Sequence, residues 1–335
     1  MYVPQVLNSN NSRYKTAYLR LLYNIFNFVT RDSEMDRIGR NSNMNIASKT
    51  NLMKYVKEVL QKIDGLYIPV KASFFDQIFI KKLNPIKLFP NPRDEFCSDE
   101  IGPNYEIIEK YVKQITKNKE NEVPIFDEPV IVEKMKPDGF MLLNGHHRWA
   151  AALMLKEKAI PVKIINLTHA SDIIETLEKT KRNKRASINL DDVVFCAPGS
   201  EDFEKPLNFP YNRIFQERIR RGIPTLFYAL HEEGYDVWIY TSGFASTDYI
   251  TQLFKHYHIE ADGIINGTTR LKADDNNKMK QAKSMLEKKY PVTLHIDTDS
   301  ILRTRSGSKE FEQYKIVSKG ERWANNVITI VRSLK

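Results

Sequence analysis

The sequence predicts an α/β protein with two folded domains behind a helical N-terminal extension. Three observations support this fold class. In residues 190–335, buried-type strands alternate with helices, which is typical of a doubly wound parallel sheet. In residues 78–170, a smaller set of strands and helices surrounds a glycine at a strand-to-helix junction. The chain of 335 residues, 41% of them hydrophobic, is long enough for about two separate cores.

Residues 1–77 make up the predicted extension. Apolar residues at helical spacing predict one helix at 14–28 and another at 52–63, joined by a polar stretch rich in Asn and Ser. We expect their apolar faces to pack on a domain or on a second copy of the chain, so a homo-oligomer is an open expectation.

A glycine-centred motif joins a predicted strand at 140–143 to an alanine-rich helix predicted at 150–157. Glycine lets the backbone turn tightly, and the first N–H groups of the following helix carry partial positive charge. Arginine offers a planar fork for phosphate oxygens, and histidine offers a donor or a proton carrier. The motif therefore predicts a phosphate site. Its residues are Asn144, Gly145, His146, His147 and Arg148.

The Gly145 motif, as residues 144–148 are called below, resembles the motif of the ParB and sulfiredoxin superfamily. The elements around it extend the likeness over roughly residues 78–168: a strand with a Pro-Asn-Pro turn at 83–93, a helix at 105–116, and strands at 128–132 and 160–165. The doubled histidine is most similar to the branch that includes free-serine kinases. His146 stands where sulfiredoxins have a cysteine, and no helix-turn-helix of the partition proteins follows.

This resemblance implies a nucleotide site and a phosphoryl transfer. ATP or ADP, with CTP as an alternative, would bind at the motif together with Mg²⁺, and His147 would act in catalysis. A kinase also needs a carboxylate near the acceptor hydroxyl, and Glu95 follows the first strand at about the corresponding place. The alternative is that Asp94 and Glu95 are ordinary solvated carboxylates. The branch usually has Asp where this chain has Asn144, so a charge is lost there.

The second half resembles the haloacid-dehalogenase (HAD) superfamily over roughly residues 190–335. The resemblance comes from predicted strands at 192–195, 236–240 and 292–296, with helices between them. It implies a phosphate-site role for Thr241 at a strand end. It also implies a charge-balancing role for Lys278, with Lys272 and Lys280 as alternatives. Asp297 and Asp299 stand where the family binds Mg²⁺, although turn and cap roles explain them equally well.

Hydrolysis in that superfamily also needs an aspartate at the end of the first strand and another two residues later. With the first strand predicted at 192–195, those positions are Cys196 and Pro198. A proline cannot transfer a proton, and a cysteine cannot both attack phosphorus and bind Mg²⁺ as an aspartate does. The sequence therefore predicts a degenerate HAD-like domain without phosphatase activity.

The net charge of +9 raises the question of a polyanionic partner. One basic run, 179–185, lies within a segment predicted as a basic helix or linker, 171–189, and four more basic side chains follow at Arg213, Arg218, Arg220 and Arg221. Such patches attract phosphates without sequence preference. A solvated linker is the alternative for the first run, and no zinc-finger or RNA-binding motif accompanies it. Nucleic acid is therefore a secondary hypothesis.

Hydropathy and cysteine usage predict a cytoplasmic protein. No stretch approaches the roughly 18 apolar residues that span a bilayer. Arg20 interrupts an apolar segment near the start, so we expect no secretory signal. Cys97 and Cys196 fall in different predicted domains, and no structural disulfide is expected. Two functions stay open: a phosphotransferase acting on a small hydroxylated metabolite such as a free amino acid, or a nucleotide-responsive switch or scaffold without turnover.

Overall fold

Two β-sheets with helices packed on them form the part of the chain that the structure describes. The computed structural model describes residues 49–63, 68–136, 138–196, 201–267, 277–317 and 322–334. Both sheets mix parallel and antiparallel strands, which confirms the α/β fold class. No helix within these residues is long and apolar enough to cross a membrane. The predicted helix at 14–28, one of the two through which a homo-oligomer is expected, lies outside them.

Six short strands make the first sheet among the described residues. They are β1 (Ile68–Pro69), β2 (Lys81–Leu83), β3 (Leu88–Phe89), β4 (Val130–Lys136), β5 (Phe140–Asn144) and β6 (Ile160–Ile164). The order is β2-β6-β4-β5-β3, and β1 also pairs with β4. The domain boundary predicted at residue 77 is therefore wrong, because β1 already belongs to this sheet. A two-residue strand is too short to show the alternation that predicts strands.

Helices and short turns surround the first sheet. They are α1 (Lys49–Ile63), α2 (Phe74–Ile78), α3 (Tyr105–Glu120), α4 (His146–Met154) and 3-10 turns at Pro85–Lys87 and Glu95–Cys97. In α1, Leu52, Val56 and Val59 recur on one buried face, which confirms the helix predicted at 52–63. The start of α3 is capped by the Asn104 side chain, which accepts hydrogen bonds from two first-turn N–H groups.

The second sheet also has six strands within the described ranges. They are β7 (Lys184–Asn189), β8 (Tyr235–Tyr240), β9 (Gly263–Ile265), β10 (Val292–Ile296), β11 (Ser300–Arg305) and β12 (Phe311–Lys315). The order is β12-β11-β10-β7-β8-β9. Strands β10, β7, β8 and β9 are parallel, and β11 and β12 continue the sheet antiparallel.

Both faces of the second sheet are covered by helices. The helices are α5 (Ala170–Lys179), α6 (Tyr211–Ile214), α7 (Ile223–Glu232), α8 (Thr247–His256), α9 (Asn277–Lys289) and α10 (Trp323–Ser333). The main apolar core joins the sheet to α7, α8 and α10, whereas α5 and α9 pack around Trp238 on the other face. Parallel strands buried on both faces are typical of a doubly wound sheet.

The first strand of the second sheet is not where the sequence predicts it. β7 ends at Asn189, and the predicted strand 192–195 falls largely in a π-helical turn, Leu190–Val194. The polar start of β7 conceals the strand. The charged ends of Lys184 and Arg185 lie over the rings of Tyr235 and Tyr290, which lets these basic residues stand in a strand. In the structure β7 therefore starts before the boundary predicted at residue 190. The segment 171–189, predicted as a basic helix or linker, contains the helix α5 followed by the strand β7.

The basic run 179–185 is likewise not a solvated linker. Arg182 forms ion pairs with the buried Asp236 at 3.1 Å and with Asp262 at 3.3 Å. In the second basic group, Arg220 donates hydrogen bonds to the carbonyls of Val193 (2.8 Å) and Asp192 (2.9 Å), so it holds the π-helical turn in place. These cations neutralise or bond internal groups, and less positive charge is left for a polyanion.

A buried polar network joins the two sheets around Asn166. Its backbone N–H donates to the Ser246 hydroxyl at 2.9 Å, and its amide exchanges two hydrogen bonds with the backbone of Ala72. The same amide also donates to the Asp248 carboxylate. Nearby, Asn266 accepts from the N–H of Thr168 at 2.7 Å. Because these groups are buried, the halves are held together by bonds that would be costly to leave unmade.

Candidate functional site

The Gly145 motif lies at the strand-to-helix junction that the sequence predicts, but α4 begins at His146, before the start predicted at residue 150, and ends at Met154. Gly145 has φ +93° and ψ 27°, a left-handed conformation that favours glycine. A Cβ atom here would also lie 3.1 Å from Nε of Arg148 and 3.3 Å from a methyl group of Val130. The buried Trp149 anchors the first turn, because its indole N–H donates to the carbonyl of Pro85 at 2.8 Å. Asn144, half-buried, is the last residue of β5.

His146 ties the motif to the loop after β3. Its side chain is buried, and Nε2 accepts a hydrogen bond from the N–H of Asn91 at 3.2 Å. The ring proton therefore lies on Nδ1, which is 3.5 Å from the Asp94 carboxylate. The ring also packs on Phe96, with centroids 5.5 Å apart. His146 is thus held on three sides by the protein.

His147 is the half-exposed histidine of the motif. Its Nε2 accepts from the N–H of Asn104 at 3.1 Å, which leaves the proton on Nδ1. Burial lowers the pKa of His147, against a smaller opposing effect of the Asp94 charge. The imidazole is therefore neutral at pH 7. Within the part of the chain that the structure describes, its Nδ1–H has no hydrogen-bond partner and can serve a ligand.

Arg148 bonds inward to the protein. Only 7% of the residue is exposed, and Nη1 donates to the backbone carbonyl of Glu128 at 2.6 Å. The Glu128 carboxylate lies 3.7 Å from the same nitrogen. The guanidinium thus lies under Gly145 and supports the turn. The sequence predicts a phosphate-binding arginine, and in the structure its best-defined partner is a carbonyl.

Of the two acidic residues before Phe96, the structure brings Asp94 to the motif. Asp94 accepts from the N–H of Phe96 at 3.1 Å and faces His146. Glu95, the predicted catalytic carboxylate, is exposed in the 3-10 turn, and among the described residues no contact joins it to the motif. The Asp94 side chain thus caps the 3-10 turn that leaves Glu95 exposed.

Polar residues also meet at the carboxyl edge of the second sheet. Asn189 ends β7, Thr241 follows β8, and Asp297 follows β10, on three neighbouring parallel strands. The buried Thr241 hydroxyl donates to Asp191 at 2.7 Å and accepts from the N–H of Gly243 at 2.9 Å. Asn189, Asp191, Thr241 and Asp297 are called the edge cluster below.

The predicted remnants of the second half agree only in part with this edge. Thr241 is there as predicted, but Cys196 lies past the π-helical turn, where its thiol donates to the carbonyl of Asp202. Because β7 ends at Asn189, the residues at the strand end and two positions later are Asn189 and Asp191, rather than Cys196 and Pro198. Pro198 and Lys272 lie outside the described residues. Lys278 is exposed at the start of α9.

The two residues predicted to bind Mg²⁺, Asp297 and Asp299, follow β10 at this edge. The carboxylates of Asp297 and Asp299 each accept a hydrogen bond within their own turn, from the N–H of Thr298 and the hydroxyl of Ser300. Asn189 contributes an amide in place of a charged ligand. Among the described residues, no three His, Cys, Asp or Glu side chains are grouped to hold a metal ion.

The comparison with protein families finds a match within residues 104–179. Residues 104–179 match the ParB N-terminal domain. The matched segment runs from the cap of α3 to the end of α5 and includes the Gly145 motif, so the ParB-like part of the resemblance is confirmed. It ends before β7. No curated protein matches the chain.

Proposed function

We propose that the protein binds a nucleotide through its phosphates at the start of α4. The left-handed Gly145 turn at a strand-to-helix junction, inside a ParB-like segment, carries this proposal. The first turn of a helix presents N–H groups and a positive dipole end. The Nδ1–H of His147 adds a half-exposed donor, and Asn144 adds no negative charge that would repel phosphate. ATP, ADP and CTP, each with Mg²⁺, are the ligands to test.

Calorimetric titration of the three nucleotides tests the site. In His147→Ala we expect at least a tenfold loss of affinity, because a hydrogen bond to a charged group contributes about 1.5–3 kcal/mol. The matched control is Asn104→Ala. This variant removes the side-chain cap of α3 but keeps the backbone N–H that donates to Nε2 of His147. It therefore tests whether a looser start of α3 is enough to weaken nucleotide binding.

Unchanged affinity in His147→Ala would refute the site, as would an equal loss in Asn104→Ala. Thermal unfolding of both variants shows whether they remain folded. Binding of none of the three nucleotides by the wild type would remove the nucleotide proposal altogether.

We also propose that the second half is HAD-like and does not hydrolyse phosphate esters. Asn189 stands at the end of the first strand, where that superfamily needs an aspartate nucleophile, and an amide cannot attack phosphorus as a carboxylate does. Asp191, two residues later, is engaged by Thr241. We expect no turnover of p-nitrophenyl phosphate by the wild type, and Mg²⁺-dependent turnover that is lost in Asp191→Asn would refute this.

Together these features favour a nucleotide-responsive switch, in which the Asn166 network transmits occupancy of the first half to the second. A ligand shifts such an equilibrium only by its differential affinity for the two arrangements. Hydrogen exchange of β8 and α8 with and without nucleotide tests the coupling, and we expect slower exchange there when nucleotide is bound. Protection confined to α4 would contradict it.

A second candidate function is phosphoryl transfer to a small hydroxylated metabolite, and the Asp94–His146 contact favours it. A half-buried carboxylate beside a histidine can accept the proton of an acceptor hydroxyl. Asp94→Asn keeps the capping ability of the side chain, so it should bind nucleotide normally and stop transfer to serine or threonine. Glu95→Gln, one residue away and exposed, is the matched control. If Glu95→Gln stopped transfer and Asp94→Asn did not, the catalytic carboxylate would be Glu95.

A further inference from the structure

We propose that a cavity between α2, α6 and α8 binds a small planar aromatic acid. The cavity has a volume of about 380 Å³, which is within the range of small-molecule sites. Its walls are mostly aromatic, and its polar groups are few. The aromatic rings are those of Phe74, Tyr211, Phe215 and His256, and the polar side chains are Gln252 and Lys255.

The aromatic walls suit a flat ring. Tyr211 and His256 lie with centroids 3.8 Å apart and planes inclined by 36°. Phe74 and Phe215 are stacked, with centroids 6.2 Å apart and planes inclined by 29°. Tyr211 is 42% exposed, so one face of this wall is accessible from solvent. Offset and edge-on contacts with such rings favour a planar aromatic ligand over an aliphatic one.

The polar groups of the cavity select an anion. Lys255 is exposed and forms no ion pair with any described residue, so its ammonium group can pair with a ligand carboxylate, sulfonate or phosphate. Burial and the neighbouring Lys255 both lower the pKa of His256, which is therefore neutral at pH 7 and leaves Lys255 as the cation. Half-buried Gln252 has no hydrogen-bond partner among the described residues and can pair with a heteroatom of the ring.

This cavity is separate from both sites described above. It lies at the C-terminal end of α8, whereas the first turn of α8 follows Thr241. Ten helical residues separate the two ends by about 15 Å. Phe74 comes from the first half of the molecule, and the other lining residues come from the second. The same short helix, α2, carries Gln77, which donates to Asp248. A bound ligand would therefore contact both halves next to the Asn166 network.

Fluorescence titration with anilinonaphthalene sulfonate, an aromatic anion, tests the site. Tyr211→Ala and Lys255→Gln should each weaken binding at least fivefold. The matched controls are Tyr228→Ala and Lys288→Gln, which remove an exposed tyrosine from α7 and an exposed lysine from α9. Both controls should bind as the wild type does.

A neutral probe of similar shape, N-phenylnaphthylamine, separates ring stacking from charge pairing. We expect Tyr211→Ala to weaken both probes and Lys255→Gln to weaken only the sulfonate. Equal effects of Tyr211→Ala and Tyr228→Ala would overturn the proposal, because the probe would then be binding scattered apolar surface. If Lys255→Gln weakened the affinity for both probes equally, Lys255 would not pair with the anionic group, and the proposal that the ligand is an acid would be overturned. Circular dichroism melting confirms that each variant is folded.

Discussion

The Gly145 motif keeps the residue types expected of a phosphate site, apart from Asn144, whereas the edge cluster of the second sheet carries Asn189 where an aspartate is expected. The contacts inside the fold differ less than the residue types do. His146 and Arg148 bond to the protein itself, while Asp191 and Thr241 still meet at 2.7 Å beside the strand ends. Residue types therefore indicate where a site lies, and the partners already bonded to each side chain determine what it can still bind.

The largest expected effect concerns Arg148, which distinguishes a supporting role from a binding one. Arg148→Ala removes a buried aliphatic stem and a charge-assisted hydrogen bond. We therefore expect the free energy of unfolding to fall by about 2–4 kcal/mol. Urea denaturation measures this. A variant of unchanged stability that no longer binds nucleotide would make Arg148 a ligand of the phosphate and would restore the role predicted from the sequence.

The next effect concerns the turn beneath the motif. Gly145→Ala must place a Cβ at φ +93° and close to Arg148, which we expect to cost about 1–3 kcal/mol of stability. Gly234→Ala is the matched control, because Gly234 has φ +82° and nothing within 4 Å of the added Cβ. The difference between the two variants isolates the steric contact from the backbone strain. Equal losses of stability would show that Arg148 moves away freely.

A third effect concerns the edge cluster. Asn189→Asp adds a carboxylate beside Asp191 and Asp297 and removes the amide that donates to Asp192. We expect this variant to be less stable than the wild type without Mg²⁺ and to gain about 1 kcal/mol, roughly 2–4 °C in Tm, with it. The wild type should not respond to Mg²⁺. A response by the wild type would show a metal site that does not need an aspartate at position 189.

The smallest effect is a pH dependence that separates two histidines. Because the pKa of His147 is lowered in the folded protein, its contribution to stability is present above the unfolded value near 6.5 and falls as the pH decreases below it. For His169 burial works against the charge, but the hydrogen bond and charge of Glu133 outweigh it and raise the pKa. Its contribution is therefore full below 6.5 and falls as the pH rises through the folded value.

Melting temperatures from pH 5 to 8 check these opposite slopes. His147→Gln should lose less stability than the wild type between pH 7 and 5, and His169→Gln should lose less between pH 6 and 8. For each variant, the difference in melting temperature from the wild type is plotted against pH. Two differences that change with pH in the same direction would contradict the assigned surroundings of one histidine.

Much of the molecule could be predicted from the sequence, because local rules govern it. The glycine junction before α4, the helix at 52–63 and the position of Thr241 all depend on spacing and turn chemistry. The start of the second sheet could not be predicted in this way. Lys184 and Arg185 make β7 look polar, whereas Val193 and Val194 look like a strand and belong to a turn.

The role of each candidate residue was harder to predict than its position. The inward bond of Arg148 goes to a backbone carbonyl of Glu128, which leaves no mark in the sequence. Asp94 and Glu95 are adjacent, and only the three-dimensional turn shows which of them faces His146. The cavity of α2, α6 and α8 draws on three separate segments of the chain, so no local pattern indicates it.

The network around Asn166 limits how the chain can be divided. A fragment that ended before this residue would leave the backbone groups of Ala72 without their partner, and one that began after it would leave the Ser246 and Asp248 side chains without the partner that they have in Asn166. Neither piece would therefore be a native domain. A study of the ParB-like half in isolation would examine a damaged surface, and recombination that exchanged one half for a homologue would have to carry matching residues at both sides of this joint.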